Sequence, residues 1–132
     1  HILLQKRAYT KYHTPGLWAN TCCTHPKWDE DPLDCAYRRL YEELGIDIEG
    51  LQFKGETEYR ADVGNGLIEH EQVCLFLADL DAPCAITKNP DEVEETCWVK
   101  TEDLFRDIVE NPNVYTPWLR IYLENHAQTI LA

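Results

Sequence analysis

An α+β fold is predicted, and three observations predict it. Segments of strand character recur along the chain, one segment over residues 31–45 carries a single apolar stripe between helix-starting and helix-stopping residues, and turn clusters separate these blocks. The 132 residues suffice for one domain, 1–132, and not for two independent ones. An apolar fraction of 44% points to a packed core rather than to disorder.

In order, residues 2–8 read as a strand, and Thr14-Pro15-Gly16 marks a turn before Leu17-Trp18. Asp31 can cap, Pro32 can start and Gly45 can stop a helix of about three and a half turns. On it Leu33, Ala36, Tyr37, Leu40 and Leu44 share one narrow sector. Glu43 and Arg39 fall together on the shoulder of that stripe, and Glu42 points away from it. Taken from the helix alone, Arg39 and Glu43 read equally as lining a cleft or as an i,i+4 surface pair of about 0.2–0.5 kcal/mol. Residues 51–60 alternate as a strand, Gly64-Asn65-Gly66 breaks the chain, and 69–79 resume a strand. A strand over about 93–99 precedes helices near 102–110 and 117–130. Thr116 caps the second of these, with Pro117 at its first position.

A net charge of −12 argues against nucleic acid as a partner, because that binding needs cations to neutralise phosphates. A small phosphorylated ligand needs a local basic patch or a bound metal to reverse the acidic field. The six cysteines sit mostly inside apolar patterns, which favours reduced core thiols in the cytoplasm over a secreted disulfide framework. No run approaches the roughly 18 apolar residues of a membrane span. His1 leads straight into Ile2-Leu3-Leu4 without a turn or cap, so an N-terminal segment is expected to precede it in the natural protein.

Within residues 24–46, Glu30, Arg38, Leu40, Glu42, Glu43 and Gly45 are spaced like the Nudix signature, a loop-helix-loop that holds divalent metal and diphosphate. Thr24 replaces that signature's first glycine, and Arg39 replaces one metal-binding glutamate. An arginine removes negative charge from a metal cluster, yet its planar fork suits a diphosphate oxygen. Outside this box stand Pro15 to Pro26, which includes Trp18-Ala19-Asn20-Thr21-Cys22-Cys23-Thr24-His25, then Tyr59-Arg60-Ala61, Glu69-His70-Glu71 and Thr116-Pro117-Trp118. Their order and spacing resemble the type I isopentenyl-diphosphate isomerases over nearly the whole chain.

The resemblance implies a Nudix-type fold, a mixed β-sheet sandwiched between α-helices, with helix 32–44 beside the cleft. It implies an isomerase of isoprenoid biosynthesis that moves a double bond by protonation and deprotonation. Cys23 and Glu71 are the implied acid and base, Tyr59 stands beside the glutamate, and Trp118 faces the carbocation. Arg7, Lys11 and Arg39 are the implied diphosphate ligands, and Glu43 holds Mg²⁺ together with the diphosphate. His25, Glu69 and Glu71 belong to a second site for Mn²⁺, Mg²⁺ or Zn²⁺, which the family completes with two histidines upstream of the position of His1. Glu69 and Glu71, two apart in a strand, leave the same face, and their like charges repel unless a cation or proton lies between them. On spacing alone, the lesser alternative is an exposed strand edge bearing solvated glutamates. His13, His70 and His126 match no implied ligand and are expected on the surface or in loops. The alignment through Asn20 and His25 selects Cys23 over Cys22, which should face the core. Two rival functions remain: a Nudix pyrophosphohydrolase acting on nucleoside diphosphate derivatives, and a non-catalytic diphosphate-binding domain.

Overall fold

The computed structural model describes residues 1–131. The chain runs β1 (Ile2–Arg7), β2 (Trp18–Asn20), α1 (Pro32–Leu44), β3 (Gln52–Gly64), β4 (Leu67–Leu77), β5 (Val93–Val99), α2 (Thr101–Glu110), a 3-10 turn (Pro112–Val114) and α3 (Pro117–Leu131). Strand β1 is central to a three-stranded sheet of order β2-β1-β5, and β3 pairs with β4 in a second sheet. Both sheets are antiparallel. The mixed character expected of the sheet is reduced to one isolated parallel bridge, Trp18 to Tyr115.

Successive side chains of a strand point to opposite faces, and Leu3 and Leu4 show what that does here. Leu3 packs with Leu40, Leu44, Ile46 and Val93 under α1, whereas Leu4 packs with Leu104, Ile108, Leu119 and Leu123 under α2 and α3. The β2-β1-β5 sheet is therefore held between helices. The hairpin is tied on separately, because Tyr59 and Val63 of β3 cluster with Ala19, Trp118 and Tyr122. Each fully buried leucine contributes roughly 1.5–3 kcal/mol, so Leu44→Ala, at a fully enclosed position, should cost about 2–5 kcal/mol.

Helix α1 begins and ends as its sequence dictates. The Asp31 carboxylate accepts the Leu33 N–H at 2.8 Å, and Gly45 takes a left-handed φ of 61° while donating to Leu40 and Tyr41 carbonyls. A Cβ at Gly45 would also stand 2.9 Å from Thr87, so glycine is required there twice over. The stripe lies differently from the one expected: Cys35, Leu40, Glu43 and Leu44 are buried, while Leu33, Ala36 and Tyr37 are half-buried. Packing on β1 and β5 has turned the helix toward its Cys35-Arg39-Glu43 side, and Glu43, expected at the edge, is 4% exposed.

The β3-β4 turn is made by Asn65 and Gly66, both at positive φ (53° and 73°), a conformation that suits the twist of a tight hairpin. The resulting register pairs Tyr59 with Glu71 and Ala61 with Glu69. One face of the hairpin thus presents Tyr59, Glu69 and Glu71 together.

Candidate active site

The cleft is built where three elements meet. Thr116 donates its backbone N–H to the Trp18 carbonyl at 2.9 Å, and the Trp118 indole N–H donates to Asn20 Oδ1 at 3.1 Å. These bonds tie the first turn of α3 to β2, and the chain leaving β2 carries Cys22, Cys23 and His25 past the hairpin face. Gln5 reaches across from β1 to the Thr21 carbonyl (2.7 Å), and the Thr21 hydroxyl donates to the Leu3 carbonyl (2.6 Å), fixing that exit.

Cys22 and Cys23 diverge. Cys22 packs on the Leu3-Leu40-Leu44 cluster and donates its thiol to Glu43 Oε2, while Cys23 packs on the Tyr59-Trp118-Tyr122 cluster. Burial raises the Cys23 thiol to about 12, with Glu69 pushing it further up and Arg7 pulling it down. It therefore stays protonated through the neutral range. Burial likewise lifts Cys22, with the Glu43 carboxylate adding to the effect.

On the hairpin face, Tyr59 donates its hydroxyl to Glu69 Oε2 at 2.8 Å, and burial together with this bond raises the phenol. Glu71 Oε1 lies 2.6 Å from His25 Nε2. Glu69 Oε1 lies 3.3 Å from His13 Nε2. Each carboxylate thus has its own imidazole as a polar neighbour. His13 lies in a loop as expected but is buried there, 8% exposed, its ring edge-on to Trp118 at 6.0 Å and its Nδ1 3.0 Å from the Thr14 hydroxyl. Burial lowers its basicity. His70 is exposed beside Glu58, whereas His126 lies within α3, half-buried against the Thr57 hydroxyl (2.7 Å), and not in a loop.

The basic residues gather around Glu43 and Glu92. The Arg7 guanidinium carbon lies 5.3 Å from the Trp118 ring centroid, one amino group donates to the His13 carbonyl (3.5 Å), and its buried Nε has no partner. Arg39 Nε is orphaned in the same way. Burial depresses the Arg7 guanidinium, an effect opposed by Cys23 and the surrounding glutamates. Glu92 joins the group: it accepts Lys11 Nζ at 2.7 Å and lies 3.6 Å from Arg39. Arg39 also reaches Glu43 Oε2 at 3.8 Å, and since Glu43 is buried, this is no surface pair. Burial raises the Glu43 carboxyl. Two buried guanidinium N–H groups without acceptors are costly unless an anion completes them.

Beneath the site, Arg38 grips both Glu30 oxygens (2.7 and 2.8 Å) and both Glu42 oxygens (3.0 Å), and so locks the 24–30 loop to α1. Glu30 is held down to about 2 by this arginine and by the Lys27 N–H. In that role Glu30, Arg38 and Glu42 shape the loop.

The donor types of His25, Glu69 and Glu71 suit a hard or borderline divalent ion. Their arrangement is paired, however, and among the described residues no three His, Cys, Asp or Glu side chains converge as a metal cage.

Sequence reasoning missed His13 and Glu92. Their signal was topological: His13 follows β1 in the same loop as Lys11, and Glu92 directly precedes β5, whose start pairs with Arg7 at the end of β1.

The loop that Glu30 and Arg38 lock onto α1, in a chain that also gathers Arg7 and Arg39 with one unpartnered Nε each, belongs to a Nudix domain: the NUDIX domain family matches residues 1–119. The chain resembles an isopentenyl-diphosphate Delta-isomerase of Cereibacter sphaeroides, 57% identical over 98% of this chain and 73% of that protein. One from Dinoroseobacter shibae is 58% identical over 97% and 73%. The chain belongs to this isopentenyl-diphosphate Delta-isomerase family within the Nudix proteins. Among solved structures it is similar to a MutT NUDIX hydrolase of Burkholderia pseudomallei (TM-score 0.69, 27% identity, 94% of this chain and 86% of that one). A Deinococcus radiodurans protein shares the fold at TM-score 0.73 and 16% identity, over 92% of this chain and 72% of that one.

Proposed function

We infer that the chain is an isomerase that interconverts isopentenyl diphosphate and dimethylallyl diphosphate. The observation that carries this reading is the convergence of Cys23, Tyr59 and Trp118 in one buried cluster, in a chain 57% identical to named isomerases.

The chemistry follows from the geometry. Cys23 holds its proton at neutral pH and delivers it to the terminal methylene carbon, which leaves a tertiary cation at the neighbouring carbon. Glu71 removes a proton from the next carbon toward the diphosphate, and the electron pair of that C–H bond forms the new double bond. A thiol this weakly acidic protonates an alkene only if its thiolate is supported. Arg7 and the cation formed beside the sulfur provide that support. Tyr59 and Glu69 keep the hairpin carboxylates oriented, and Trp118 walls the hydrocarbon end. The orphaned donors of Arg7 and Arg39, with Lys11, take the diphosphate.

This reading includes Mg²⁺ held by Glu43 with the diphosphate, and a further divalent ion (Mn²⁺, Mg²⁺ or Zn²⁺) near His25, Glu69 and Glu71. When bound, such ions neutralise carboxylate and diphosphate charge. Reduced thiols throughout support a cytoplasmic setting, and no helix among the described residues is long and apolar enough to cross a membrane.

The test is proton NMR of the chain with isopentenyl diphosphate and Mg²⁺, alongside a phosphate-release assay with nucleoside diphosphate derivatives. Appearance of the dimethylallyl methyl signals without released phosphate supports the isomerase. Phosphate release without isomerisation supports the hydrolase instead.

A further inference from the structure

Helix α3 places Tyr122 one turn after Trp118, on the same face. Its ring stands edge-on to Tyr59 at 5.9 Å, and both belong to the cluster on which Cys23 packs. The side chain is 4% exposed, and its hydroxyl is enclosed with no hydrogen-bond partner in this arrangement. The cavity of about 1130 Å³ that it lines is also lined by Cys23, His25 and Glu71. A buried hydroxyl without a partner is uncommon and unfavourable. Phenylalanine would fill the same space without that cost, so packing alone does not account for the oxygen.

We propose that Tyr122 is a positioning residue for Cys23, its hydroxyl turning to the sulfur as the thiol gives up its proton. This rests on the isomerase reading given above. Tyr122 and Cys23 share the buried cluster and the cavity wall, and after burial itself Cys23 is the strongest influence on the Tyr122 phenol, which is raised, in part by an approach of the hydroxyl to the sulfur that falls short of a full hydrogen bond. A small shift of the Tyr122 or Cys23 side chain, with the phenol hydrogen turned toward the sulfur, completes the bond without backbone movement. In the ground state the neutral thiol is a weak acceptor, while a sulfur losing its proton is a strong one. The interaction thus strengthens toward the transition state, and such an interaction raises kcat without tightening substrate binding.

The experiment is Tyr122→Phe in the full chain, read in three ways. The proposal expects kcat for isomerisation to fall by about 10- to 100-fold, at or somewhat below what one aimed donor supplies, with KM unchanged. It expects the melting temperature to hold or rise, because an unsatisfied polar atom has been removed. It expects alkylation of Cys23 by N-ethylmaleimide at fixed pH, located by peptide fragmentation, to slow several-fold. Unchanged kcat together with unchanged alkylation overturns the proposal. So does a raised KM at constant kcat, or a kcat loss that comes with a lowered melting temperature, since either marks a packing role. If the unaltered chain fails to isomerise, the functional reading is what fails, and alkylation then decides the role of Tyr122.

Discussion

The guanidinium of Arg7 lies over the indole of Trp118, 5.3 Å from its centroid, while its Nε remains without a partner. One arginine thus touches the residue proposed to wall the hydrocarbon end and still has a donor free for the proposed diphosphate. Stacking on the indole holds the fork without using its N–H groups, as a lysine could not.

Trp118→Phe should therefore weaken substrate capture as well as turnover. A cation–π contact of about 0.5–2 kcal/mol corresponds to roughly 2- to 30-fold in affinity. Steady-state kinetics should show KM rising in that range together with a fall in kcat. A fall in kcat at constant KM would mean that Arg7 does not depend on the indole.

Cys23→Ala and Glu71→Gln should each lower kcat by about 10²–10⁴-fold, the usual contribution of a general acid or base, with circular dichroism unchanged. Cys22→Ala should be far milder, because that thiol faces Glu43 and the α1 cluster. Turnover within a few-fold of the unaltered chain in either Cys23→Ala or Glu71→Gln would end the two-residue scheme.

Glu30 carries a stability signature in pH. Its folded carboxyl sits at about 2, below the ordinary 4.5, chiefly because of Arg38. A depressed folded value means that the unfolded chain binds the proton first, so this stabilisation is complete above 4.5 and is lost as pH falls from 4.5 toward 2. Glu30→Gln should lower the melting temperature at pH 7 and make no difference near pH 2. Equal deficits at both pH values would show that the Arg38 ion pair is not the source.

Helix α1 was legible because Asp31, Pro32 and Gly45 state its ends chemically, and the hairpin turn was legible because Asn65-Gly66 permits two positive φ values. Which face of α1 is buried was not, since Glu43 is polar and only its packing under the β1-β5 sheet encloses it. Cys23, Tyr59, Glu71 and Trp118 were found by motif, each lying in a separate segment. His13 and Glu92 had no motif and depend on the β1-β5 pairing that brings chain ends together. Tyr122 was hidden as one more apolar residue of α3, and only its unpartnered oxygen marks it.

Metal binding provides the last prediction, and it follows from how the donors are already engaged. Glu71 is 2.6 Å from His25, and Glu69 accepts from Tyr59 and stands 3.3 Å from His13. An ion that takes His25, Glu69 and Glu71 as ligands must separate His25 from Glu71 and draw Glu69 Oε1 away from His13, so part of its binding energy goes into that rearrangement. A divalent ion added to this chain should therefore bind weakly, and its effect on the melting temperature should grow logarithmically with concentration above the dissociation constant. Scanning Mn²⁺ from micromolar to millimolar by thermal melting gives the curve. His25→Ala and Glu71→Gln should abolish the shift, whereas Glu43→Gln should preserve it in the absence of substrate, because the proposed role of Glu43 is to hold an ion only together with the diphosphate. A saturating shift at equimolar Mn²⁺ would show that the donors are already arranged for metal, and an unaltered shift in His25→Ala would place the ion elsewhere.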